Sequence, residues 1–70
     1  MSNRSLGEHK KNKVKQIGKA CKEFRSSIGY TRKQVASELN TTFENILAFE
    51  YGRNDSAYML SWYVERGLRL

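Results

Sequence analysis

Seventy residues carrying 13 basic and seven acidic side chains give a formal charge of +6 and an isoelectric point near 9.8, a balance that suits a polyanionic partner. A chain this short holds one hydrophobic core and little scaffold for a supported catalytic pocket, so a binding role is expected and an enzyme is not. A single cysteine, Cys21, excludes an internal disulfide, and no cysteine or histidine cluster implies a metal or other cofactor. No apolar run is long enough for a membrane span or for the middle of a signal peptide, so a cytoplasmic protein with no membrane partner is expected.

The positive charge is concentrated at the front. Residues 1–25 carry eight basic side chains against Glu8 and Glu23, whereas residues 26–70 carry five of each sign. Residues 1–13 lack apolar periodicity and are expected to form a flexible basic arm, leaving residues 14–70 as the folded domain. From there Val14, Ile17, Cys21, Phe24 and Ile28 recur at steps of three and four, which predicts a helix over 13–28 with lysines on its outer face. Gly29 is placed to close it.

Thr31 with Gln34 reads as a capping box opening a short helix over about 31–39, whose buried stripe is Val35, Ala36 and Leu39. Asn40 occupies a turn that needs a left-handed backbone. Thr41 with Glu44 reads as a second capping box, and Ile46 and Phe49 would anchor a third helix, about 42–50, ending before Gly52. Asp55 or Ser56 is placed to cap a last helix through Tyr58, Leu60, Tyr63 and Val64, with Gly67 ending it. The expected class is all-α, with four or five short helices.

Two short capped helices joined by a tight turn are what a helix-turn-helix requires. Ala36 is small where the helices would cross, and anchoring by Ile46 and Phe49 leaves Thr42, Phe43, Glu44, Leu47 and Ala48 free. The stretch from Gly29 through Thr31, Gln34, Val35 and Ala36 to Leu39 resembles the opening of this motif in the Cro/C1 class of phage repressors. Asn40-Thr41-Thr42, Ile46, Phe49, Glu50 and Gly52 then match its turn, anchors and ending without a gap, so the resemblance covers residues 17–68.

That resemblance implies a lambda-repressor-like fold and a regulator that binds a double-stranded operator, with its second motif helix in the major groove. It implies a buried ion pair between Arg25 and Glu50, and base contacts from Phe43, Glu44, Leu47 and Ala48, with Thr42 close to the backbone. Related proteins often carry polar or basic residues at those positions. Here three apolar side chains suit thymine methyls, and Glu44 suits a cytosine amino group. Phosphate contacts are expected from Arg32, Thr41, Tyr51, Arg53 and Asn54, where helix N-termini and arginine forks favour anions.

His9 is expected to be solvated and Cys21 to be a buried filler. Met59, Trp62 and Leu70 are expected to form an outward patch for a homodimer, by resemblance to repressors that dimerise through their C-terminal helix, or for another protein. The competing reading keeps the fold but binds another regulator, as an antirepressor or modulator does, through the apolar, acid-bearing outer face of the third helix.

Overall fold

The computed structural model describes the backbone from Asn3 to Leu70 and the side chains from Asn12 onward, so the expectation for His9 lies outside the described residues. Four helices follow in order, α1 (Asn3–Ser27), α2 (Arg32–Glu38), α3 (Phe43–Glu50) and α4 (Ala57–Glu65), with no strand among the described residues.

Helix α1 begins at Asn3 rather than near Lys13, so the helix expected over 13–28 starts earlier than its apolar stripe. Apolar periodicity marks where a helix becomes buried, not where its backbone starts. Between Asn3 and Lys13 no proline or β-branched residue interrupts the helix, and lysine, arginine and glutamate are good helix formers.

The local punctuation follows residue chemistry. Thr31 Oγ1 accepts from Gln34 N at 3.1 Å while Gln34 Oε1 accepts from Thr31 N at 2.8 Å, completing the capping box of α2. Asn40 sits at φ 55°, so α2 closes with Asn40 N donating to Ser37 O at 3.2 Å and Thr41 N to Ala36 O at 2.9 Å. Because Thr41 is used in that closure, the cap of α3 is Thr42, whose Oγ1 accepts from Asn45 N at 3.2 Å. This corrects the expected Thr41–Glu44 box. Ser56 caps α4 by accepting from Met59 N at 3.2 Å.

Helix α3 packs on both α1 and α2, and α4 packs on α1. Cys21, Val35, Ala36, Leu39, Ile46, Phe49, Met59, Trp62 and Tyr63 form the core, with Ile17, Phe24, Tyr30, Leu60 and Leu68 packed around it. Gly18 sets the α1–α3 crossing. A Cβ there would lie 2.5 Å from Glu50 O and 2.7 Å from Phe49 O, so only glycine lets the two backbones approach this closely.

Two core expectations are corrected. Ile28 lies past the end of α1 and is exposed. In α4 the buried face is Met59, Trp62 and Tyr63, while Val64 is 48% exposed, so Met59 and Trp62 are not part of an outward patch. The reason is a partner for the indole: Trp62 Nε1 donates to Glu38 Oε1 at 2.9 Å, which lets the large ring be buried without an orphaned donor. Leu70 is 71% exposed.

Candidate functional site

Among the described residues the most heavily bonded side chain is Glu50, at the C-terminal end of α3. Its carboxylate is fully buried and accepts four hydrogen bonds. Arg25 Nε donates to Oε2 at 2.8 Å and Arg25 Nη2 to Oε1 at 3.2 Å. Arg32 Nε donates to Oε1 at 2.9 Å, and the Tyr63 hydroxyl to Oε2 at 2.8 Å. Arg25 Nη1 also donates to Tyr30 O at 2.7 Å, tying in the α1–α2 connection. One residue of α3 is thus held by α1, α2 and α4 together.

This cluster perturbs its neighbours. Burial, then the hydrogen bond to Glu50, then its negative charge, hold the Tyr63 hydroxyl protonated well above its ordinary range. Burial and the charge of Glu50 push the Cys21 thiol up to about 12, so Cys21 is an inert filler and not a nucleophile. Among the described residues no three His, Cys, Asp or Glu side chains are grouped to hold a metal ion.

With Ile46, Phe49 and Glu50 turned inward, α3 presents its other face. Thr42, Phe43 and Glu44 are exposed, and Leu47 and Ala48 partly so, on one side of the helix. Thr41 Oγ1 accepts from Asn45 Nδ2 at 2.9 Å, bracing the turn before α3. From the other side the Tyr58 hydroxyl donates to Leu39 O at 3.0 Å.

The residues expected at phosphates divide. Tyr51 is 52% exposed at the end of α3, flanked by Lys22 Nζ and the Arg32 guanidinium, each 5.8 Å from its ring centroid. Arg53 is exposed, and its backbone N is fixed to Ala48 O at 2.8 Å. Arg32 keeps only part of its guanidinium free, because Nε is committed to Glu50 and the side chain is 20% exposed. Asn54 turns inward: its Oδ1 is buried without a hydrogen-bond partner.

The lysines expected on the outer face of the first helix form a basic strip beside this surface. Gly52 packs against the backbone of Lys15, and Lys15, Lys19 and Lys22 are exposed at helical spacing along α1 next to Gly52 and Tyr51. An open groove of about 540 Å³ runs from Arg25 and Arg32 past Lys33 to Phe43.

No family model, curated protein or solved structure matches the chain. The chemistry of the site therefore rests on its geometry. What the residues assemble is a short helix held rigidly from behind, with an accessible outer face and cations at its far end. No helix among the described residues is long and apolar enough to cross a membrane.

Proposed function

We propose that this chain is a sequence-specific double-stranded-DNA-binding regulator of the Cro/C1 type, with α2 and α3 as its helix-turn-helix. The observation that carries the reading is the fixation of α3 by Glu50, which leaves the face of Phe43, Glu44, Leu47 and Ala48 free beside a rim of cations. Eight residues of α3 make about 12 Å of helix, and the major groove is about 12 Å wide. Phe43, Leu47 and Ala48 suit thymine methyls and Glu44 a cytosine amino group, while Lys15, Lys19, Lys22 and Arg53 suit the flanking phosphates.

Two copies on an inverted repeat are expected, as for related repressors. With Met59 and Trp62 buried, the apolar residues left at the C-terminal surface are Tyr58, Val64 and Leu70. Selection from a random duplex library, followed by anisotropy of the winner across a salt series, tests the reading. An enriched inverted repeat with affinity falling steeply as salt rises supports it. Lys22→Glu with Arg53→Glu should then abolish binding, and these positions avoid the core because neither side chain bonds Glu50.

A second reading has one observation in its favour. The outer face of α3 is mostly apolar and carries an acid, which suits a partner regulator as well as a base edge. Absence of enrichment, together with complex formation lost on Phe43→Lys, would move the assignment to a protein partner.

A further inference from the structure

We propose that the outer face of α3 reads a cytosine methylated at C5, so that modification of the operator strengthens binding. The inference rests on the DNA reading above and names the base edge that this face selects. Glu44 lies near the middle of the face, opposite the buried Ile46, Phe49 and Glu50, with Leu47 and Ala48 one turn further on. Residues at that spacing hold their Cβ atoms about 5–6 Å apart, so one base edge can meet the acid and an apolar side chain together. The carboxylate is exposed, and the ion pairs among the described residues, Arg25 and Arg32 with Glu50 and Arg66 with Glu38, do not include it.

The second observation is the shortage of donors. Helix α3 contains no lysine or arginine, and its other polar side chains are Glu50, which is buried, and Asn45, whose Nδ2 is held by Thr41 Oγ1 at 2.9 Å. An acceptor flanked by apolar groups calls for a base edge with a donor beside apolar surface. In the major groove guanine N7 and O6 and thymine O4 are acceptors that repel a carboxylate. Adenine sets its N6 donor beside N7, an acceptor that finds no donor here, whereas cytosine sets its N4 amino group beside C5. A methyl at C5 gives cytosine the apolar group that thymine carries, within reach of Leu47 while Glu44 accepts from N4.

Duplex selection with the full chain, run in parallel on a library made with cytosine and one made with 5-methylcytosine, tests this. The methylated library should yield a half-site with a fixed C·G pair, bound more tightly than its unmethylated copy by about fourfold for each methyl covered. Glu44→Ala, a change at an exposed position, should abolish the preference for that pair, and Leu47→Ala should abolish the gain from the methyl. Equal or weaker binding of the methylated duplex, a selected site without cytosine, or an unchanged pair preference in Glu44→Ala would overturn the proposal and leave the DNA reading standing. Affinity lost on replacing thymine by uracil, with indifference to cytosine methylation, would place the apolar contacts on a neighbouring pair and overturn it equally. No enrichment from either library would overturn both.

Discussion

Two glutamates in this molecule gather the same kinds of partner, arginine and an aromatic donor, in opposite surroundings. Glu50 is fully buried between Arg25, Arg32 and Tyr63. Glu38 is 38% exposed on its side chain, takes the indole N–H of Trp62, and pairs with Arg66, whose guanidinium lies 4.0 Å from the Trp62 ring centroid. The difference lies in what happens when one partner is removed. At the surface, water replaces it. In the interior nothing does, and two arginines are left without their anion.

The largest expected effect therefore comes from Glu50→Ala, which should lower unfolding free energy by about 3–5 kcal/mol, read from urea denaturation. A loss below about 1 kcal/mol would place the Glu50 cluster in the same class as the Glu38 one.

Alkali probes the same cluster through its neighbours. The Cys21 thiol and the Tyr63 hydroxyl titrate higher in the folded chain than their ordinary 9.0 and 10.0. Both groups stay protonated in the fold while the unfolded chain gives up its protons, so their stabilisation is complete below pH 9 and declines as pH rises toward about 12. The urea midpoint should fall across that window, and Cys21→Ala with Tyr63→Phe should flatten the fall.

Gly18→Ala should cost about 1–3 kcal/mol by forcing α3 off α1, and should weaken any ligand of the outer α3 face more than its loss of stability accounts for. The smallest change is Glu38→Ala, about 1 kcal/mol or less. Its clearer readout is the fluorescence of Trp62, the single tryptophan, which loses its hydrogen-bond partner.

The same contrast explains how much the sequence discloses. Caps and turns were legible because they are local: Thr31 with Gln34, Ser56, and the left-handed Asn40 act within a few residues of themselves. The cap of α3 was misplaced by one residue because Thr41 and Thr42 are chemically equivalent, and only the closure of α2 distinguishes them. The pairing of Arg25 with Glu50 was expected through a family resemblance, not through any property of residues 25 apart in sequence. Arg32 and Tyr63 as further partners of Glu50 were invisible, since no periodicity encodes a meeting of three helices. Trp62 and Val64 exchanged places relative to expectation because hydropathy ranks side chains singly, whereas burial of an indole depends on an acceptor supplied from another helix. The outer face of α3 was legible as the complement of Ile46 and Phe49.

Glu50 also bears on the order in which the chain becomes a protein. Its partners come from α1, α2 and, last, Tyr63 near the end of α4. During synthesis the first three helices emerge with this carboxylate among its arginines but without the hydroxyl and the aromatic cover of α4. No subset of helices is a finished module, and the native state should be reached in one step after translation has delivered α4, with little protection of the nascent segment before then.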